Sequence, residues 1–211
     1  MLRNDSLKPV KIVLASQSRA RQAMLKSAGV NFRVIKPILD EMAMVHEMMK
    51  HFTGPEKLTP EKIAMELAKK KALVVARKNP DALVIGSDQV LVVDNRMVSK
   101  ARNKTEAMAK LKMLRGKTHK LISAVAVAKG ETIFWSHEEE AILTMHDFDD
   151  AFLERYIAVA GDALTQAVGA YEIEGRGSWL FSKIEGDHNT ILGMPLLPLL
   201  AYLREYHEVM P

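Results

Sequence analysis

Four residues in the middle of the chain, Gly86-Ser87-Asp88-Gln89, break an apolar run that starts at Ala82 and resumes up to Asp94. The β-branched residues on both sides read as a buried strand. An ionised Asp buried alone is prohibitively unfavourable, so Asp88 needs a cation, a metal or the mouth of a cleft. The same residues also fit a Gly-Ser-Asp turn between two short strands. A second interruption, Ser16-Gln17-Ser18, lies between an apolar stretch, Val10 to Ala15, and a helical pattern from Arg19 to Ala28 that Gly29 ends. Such a junction aims free backbone N–H groups and the positive end of a helix dipole at one point, and Arg21 adds a planar cation. That makes a phosphate cradle without a glycine-rich loop; plain N-capping by Ser16 or Ser18 is the other reading. Further on, Gly169 to Phe181 mixes frequent glycines with aromatic rings. This suits either a loop on which a ligand stacks or a turn with Trp179 filling the core. His46 and His51 are too far apart along a helix to share a metal and read as surface residues, while His188 and Asn189 read as turn formers.

Composition narrows the chemistry. The chain has 211 residues, 48% of them hydrophobic, enough for a sizeable core. It has no cysteine, which excludes disulfides, thiol catalysis and thiolate zinc sites and leaves oxygen and imidazole as metal ligands. Hard divalent cations fit that set. No apolar run reaches membrane-spanning length, and Met1 to Lys8 holds no apolar signal region, so a cytoplasmic protein without membrane partners is expected. The net charge is only +4, but it is unevenly spread. Lys100, Arg102, Lys104, Lys110, Lys112, Arg115, Lys117 and Lys120 crowd one stretch, and Glu138 to Glu140, Asp147, Asp149, Asp150 and Glu154 the next. Basic residues of that density suit a phosphate-bearing partner or a solvated helix face.

The elements that must position these groups alternate between strand and helix. Strands are expected at Val10 to Ala15, Phe32 to Ile35, the central Ala82 to Asp94, Thr118 to Ala128, Glu131 to Glu140 and Ala141 to Met145. Helices are expected at Arg19 to Ala28, from Thr59-Pro60-Glu61 onward with Ile63, Leu67 and Leu73-Val74 inward, at Thr105 to Leu114, at Asp150 to Ala158 and from Met194-Pro195 to Tyr206. Most of the Lys69-Lys70-Lys71 run should be solvated, and Met42 to Pro60 reads as a mobile insertion. Alternating elements with hairpins mixed in argue an α/β fold with a mixed sheet. No repeat or low-complexity linker marks a firm domain boundary, and a single domain over residues 1–211 is expected.

Taken together, Leu14 to Arg21, Asp40-Glu41, Ala68 to Ala72, Ile85 to Gln89, Ser99-Lys100, Gly116-Lys117-Thr118-His119 and Gly169 to Gly175 resemble, in order and spacing, the Maf family of nucleoside triphosphate pyrophosphatases. The resemblance spans about Ile12 to Leu203. It implies an elongated mixed β-sheet with flanking helices and two lobes around a central cleft, as in inosine triphosphate pyrophosphatases. It further implies house-cleaning hydrolysis of a nucleoside triphosphate to monophosphate and pyrophosphate, with Mg²⁺ or Mn²⁺, and a homodimer by family habit. By position, Ser16, Arg21, Lys71 and Lys100 match the phosphate-binding residues, Glu41 and Asp88 the metal ligands, and Asp88 also the proposed general base. Whether Asp88 acts as base, ligand or both stays open. Arg19 stands where the family commonly has Pro, and Ala101 where Pro often follows the lysine.

Three positions set the base in this family, here Ala20, Gln89 and Glu174. Gln89 and Glu174 resemble the subgroup that prefers 7-methyl-GTP, whereas the dTTP/UTP subgroup tends to carry Arg, Thr and Gln there; Ala20 replaces a bulkier residue. A carboxylate can accept two N–H donors from a guanine edge, and a stacked Tyr171 or Trp179 would favour a cationic methylated base. The alternatives are a dTTP/UTP pyrophosphatase or a non-catalytic regulator that binds nucleotide or nucleic acid. Nucleic acid is not expected, since aromatic residues make up only 6% and no recognised module appears.

Overall fold

The computed structural model describes residues 10–51, 58–207 and 209. In chain order its elements are β1 (Ile12–Leu14), α1 (Arg19–Ser27), β2 (Arg33–Val34), α2 (Glu41–His51), α3 (Pro60–Ala76), β3 (Leu83–Val93), β4 (Arg96–Val98), α4 (Lys104–Leu114), β5 (Thr118–Lys129), β6 (Thr132–Met145), α5 (Asp150–Val159), α6 (Ala163–Gln166), a 3-10 turn (Arg176–Leu180), β7 (Phe181–Glu185), α7 (His188–Ile191) and α8 (Leu196–His207). The strands form one seven-stranded mixed sheet in the order β2-β1-β3-β5-β6-β7, with β4 added to β3. β1 runs parallel to β2 and β3, and the remaining pairs are antiparallel. The expected α/β class and mixed sheet are therefore present.

Local chemistry explains most boundaries. Ser18, Thr59, Asn103 and Asp149 each accept a backbone N–H at the start of α1, α3, α4 and α5. The β3–β4 hairpin turns through Asp94 and Asn95, at φ 49° and 59°, the left-handed pair that a two-residue hairpin demands. Elsewhere the sequence reading needs correction. Glu131 to Met145 is not two strands but the single strand β6, which keeps pairing with β5 as far as Thr144 opposite Thr118. Phe181 to Glu185, expected as loop and turn, is the strand β7 that pairs with the end of β6. The Met-rich stretch after Asp40, expected as a mobile insertion outside the core, forms helix α2, with Met42 and Met49 exposed; residues 52–57, which include Gly54-Pro55, lie outside the described residues.

Helix α3 buries Ile63, Ala64, Leu67, Ala68, Lys71, Ala72, Val75 and Ala76, whereas Leu73 and Val74 are only half-buried. Small residues occupy this face because α3 lies directly on β3. A Cβ at Gly86 would stand 2.3 Å from the Ala68 carbonyl oxygen and 2.5 Å from the Ala72 nitrogen. Around this contact the apolar side chains cluster on either side. Leu14, Leu25, Ile85, Val125, Leu199 and Leu203 pack together near α1 and α8, and Leu91, Leu111, Leu114, Leu143 and Leu153 near α4 and α5. Each fully buried leucine contributes roughly 1.5–3 kcal/mol relative to an exposed one. Among the described residues, no helix is long and apolar enough to cross a membrane.

His119, on β5, is buried in the second of these cores against Tyr171 and Phe181. Its Nε2 lies 2.7 Å from the Tyr171 hydroxyl, while its Nδ1 is buried without a partner. Burial pulls the imidazole down to about 4 from its ordinary 6.5. The folded state thus holds His119 neutral where the unfolded chain takes up a proton, and stability falls as pH drops from 6.5 towards 4. The loss amounts to on the order of 3 kcal/mol. Urea unfolding at neutral and acid pH measures it, and His119→Gln is expected to flatten the decline in that window.

Candidate active site

The β1–α1 junction supplies the first wall. Arg21 is anchored from three sides: its Nε donates to the Gly193 carbonyl at 2.8 Å, and Nη1 donates to the Ser87 carbonyl at 2.9 Å and to Ser16 Oγ at 3.3 Å. Nη2 has no partner among the described residues, so the guanidinium is held rigidly with one nitrogen to offer. Ser87 Oγ also donates to the Gly193 carbonyl, at 2.9 Å. Gly193 has φ 106°, a conformation that glycine adopts without penalty. Burial pulls the Arg21 guanidinium below its usual value, and the charges of Asp88 and Glu41 oppose that fall.

The second wall comes from α2, α3 and β3. Lys71 Nζ lies 2.5 Å from Asp88 Oδ1 and 2.8 Å from Glu41 Oε1, so one ammonium joins carboxylates from two distant segments. Of the three consecutive lysines, Lys71 alone is buried, because it shares the inward face with Leu67, Ala68 and Ala72. Burial drives the Asp88 carboxyl up; Lys71 and Arg21 oppose that rise, and Glu41 adds to it. Lys100 follows β4. Loss of water draws its ammonium down, as do the like charges of Arg21 and Lys71, while Glu41 and Asp88 act the other way. Lys100 is exposed and reaches the other four through charge alone, with no hydrogen bond or ion pair to them among the described residues; Ala101 rather than proline follows it. Among the sequence candidates, Ser16 thus meets Arg21, and Glu41 and Asp88 meet at Lys71, with Arg21 and Lys100 within reach of that group's charge.

Gly193 and Ser87 belong to this construction but were not among the sequence candidates. The only signal for Gly193 was a glycine just before Met194-Pro195. Gln89 points its amide nitrogen at Ser123 Oγ and at the carbonyls of Thr190 and Ile191, at 3.0, 3.1 and 3.0 Å, so its oxygen is left facing the Gly193 side. Arg19 makes an exposed ion pair with Asp162 at 2.7 Å.

A family model described as Maf-like protein matches residues 11–206. The chain belongs to the Maf family. A nucleoside triphosphate pyrophosphatase of Caulobacter vibrioides is 49% identical over 94% of this chain and 96% of its own. A 7-methyl-GTP pyrophosphatase of Brucella abortus is 45% identical over 92% and 96%. Among solved structures, the Staphylococcus aureus Ham1 protein aligns with a TM-score of 0.40 and 16% identity over 65% of this chain and 72% of that one.

Within this Maf-family chain the three positions expected to meet the base are less tightly assembled than the group around Asp88 and Lys71. Ala20 is half-buried beside Arg21, and Glu174 is exposed, with no hydrogen bond or ion pair to the Asp88 group among the described residues. Tyr171 is not a stacking platform: it is buried against His119 and Phe181, at ring distances of 5.8 and 4.8 Å. Trp179 does not fill the core either, being 75% exposed on the 3-10 turn. Much of the basic stretch answers to the chain's own carboxylates. Lys112 and Arg115 pair with Asp150, Lys117 with Asp94, Lys120 with Glu140 and Arg102 with Glu106. Lys104 sits at the start of α4. His46 is exposed, as expected, and no group of three or more His, Asp or Glu side chains among the described residues is arranged to hold a metal by itself.

Proposed function

We propose that the chain hydrolyses a nucleoside triphosphate to a nucleoside monophosphate and pyrophosphate, as a house-cleaning enzyme whose preferred substrate carries a 7-methylguanine-like base. The observation that carries this reading is the meeting of Asp88 and Glu41 at Lys71, with Arg21 and Lys100 near enough for their charges to act on it. A triphosphate brings about four negative charges, and catalysis of its cleavage is mostly positioning and charge neutralisation. Arg21 and Lys100 hold the polyphosphate from two walls, with Ser16 beside the guanidinium. Asp88 takes the proton of the water that attacks the α-phosphorus. The bond from that phosphorus to the oxygen bridging the β-phosphate breaks, and pyrophosphate leaves with the electron pair. Relatives named nucleoside triphosphate pyrophosphatase and 7-methyl-GTP pyrophosphatase support both the reaction and the base.

The donor set also fits Mg²⁺ or Mn²⁺. Two carboxylates, Glu41 and Asp88, meet at a single ammonium, and Mg²⁺ is usually held by one or two carboxylates with phosphate oxygens and water filling the rest. Such an ion supplies charge neutralisation on the phosphates. For the base, Gln89 presents only its oxygen and Glu174 only carboxylate oxygens, a match for the N–H donors of a guanine edge. Exposed Trp179 is the ring left to stack on a cationic base. Internal pairing of Arg102, Lys112, Arg115, Lys117 and Lys120 favours a small polyphosphate over a nucleic acid, and a homodimer is part of the same reading.

The test is turnover of 7-methyl-GTP, GTP, UTP and dTTP with and without Mg²⁺, read as pyrophosphate release. Pyrimidine preference would sink the base assignment, and no turnover of any would sink the reaction. Burial of Asp88 and crowding of Lys100 also set the pH profile. A raised Asp88 loses its charge at a higher pH than an ordinary carboxylate, and a lowered Lys100 at a lower pH than an ordinary lysine. Both limbs of kcat/KM are therefore expected inside the ordinary limits of about 4 and about 10. The acid limb should vanish with Asp88 and the alkaline limb shift outward in Lys100→Arg.

A further inference from the structure

Lys110 is a buried ammonium on α4 that pairs with no carboxylate among the described residues. It donates to the Ser99 carbonyl and, at 2.8 Å, to the Val168 carbonyl. Glu106, one turn earlier, is engaged by Arg102 instead. Burying a lysine against backbone alone is unfavourable, and burial pulls this one down to about 8, with Glu106 opposing the fall and Lys100 adding to it. An apolar side chain at a helix position flanked by Ala107, Leu111 and Leu114 would give an easier core. The two carbonyls it chooses are not equivalent to others nearby. Ser99 immediately precedes Lys100, and Val168 immediately precedes the Gly169–Glu174 loop. That loop is strained: Ala170 is fully buried at φ 60°, a conformation that persists only where the surroundings over-determine it. Its ties are Val168 to Lys110, the Ala170 carbonyl to the Tyr156 hydroxyl at 3.2 Å, and Tyr171 to His119.

We infer that Lys110 is a positioning residue that straps the loop carrying Lys100 to the loop carrying Glu174, holding the first for the phosphates and the second for the base through one ammonium. The inference rests on the function proposed above for its catalytic consequence, and on the two backbone contacts for its structural one. Coupling follows from the geometry: a single Nζ cannot release one loop without altering its hold on the other, so phosphate clamping and base selection are linked.

Lys110→Met keeps the length of the side chain and removes every donor. Hydrogen exchange of the full-length protein is expected to speed up at least about tenfold in both residues 99–103 and residues 168–175, with β3 and β5 unchanged. Turnover should fall at least about tenfold in kcat/KM, mainly in kcat, and the ratio between the best and second-best nucleotide should shrink by about threefold or more. Lys110→Arg, which retains donors, should restore a large part of both. If Lys110→Met does not fold, Lys110→Gln is read in the same way. Exchange that rises in one loop only, rises uniformly or stays unchanged overturns the strap. So do two loosened loops with kcat/KM and preference both within about twofold of wild type. A wild type that cleaves no nucleoside triphosphate defeats the proposed function instead, and the exchange comparison then decides the strap by itself.

Discussion

Asp88→Asn is expected to lower kcat by about a hundredfold to ten-thousandfold, the range for loss of a positioned general base, while nucleotide still binds. The amide fills the same volume on β3, and Lys71 keeps Glu41 as a partner at 2.8 Å, so the fold has a counter-charge for its buried ammonium. What the variant lacks is an atom able to take a proton from water. Removing one negative charge from the cleft also lessens repulsion of the polyphosphate, so affinity should hold or tighten. Single-turnover kinetics beside equilibrium binding separate the two effects. Turnover within about tenfold of wild type would remove Asp88 from the chemistry.

Gly86→Ala is expected to be nearly as damaging, by a different route. Its Cβ would meet backbone of α3, the Ala68 carbonyl oxygen at 2.3 Å and the Ala72 nitrogen at 2.5 Å, and backbone cannot rotate out of the way as a side chain can. Helix α3 must shift off β3. Overpacking of this kind typically costs about 1–3 kcal/mol and occasionally more. Lys71 sits between Ala68 and Ala72 on that face, so the shift carries its ammonium away from Asp88, and a displacement of about 1 Å can lower turnover about a hundredfold. Thermal melting and kcat together test this. An enzyme with wild-type stability and rate would show that α3 does not rest on Gly86.

These two variants mark the difference between what was legible in the chain and what was not. Asp88 stood out because an acidic residue inside a β-branched run demands an explanation wherever the strand ends up. Gly86 beside it carried no such signal, since its role depends on which helix lies over it. Strand β6 was read as two pieces because charged Glu138 to Glu140 interrupt it, yet along an exposed face a strand tolerates charges while its backbone keeps pairing with β5. Tyr171 and Trp179 were equal candidates for stacking, and packing sent the first into the core and the second to the surface.

The sequence by itself determined the types of most elements, the starts of α1 and α3 at Ser18 and Thr59, the mixed α/β class, and an ordered set of polar interruptions specific enough to mark the family. Those signals are local: periodicity, capping residues and the penalty on a lone buried charge act within a few residues. Tertiary structure alone decided that Lys71 rather than Lys69 or Lys70 answers Asp88, that the Gly193 carbonyl holds Arg21 from 172 residues away, and that Lys110 reaches the carbonyls of both Ser99 and Val168. Such pairings depend on which face a helix turns to the sheet and on strand register. Both are set by close packing of the whole core, which no local stretch encodes.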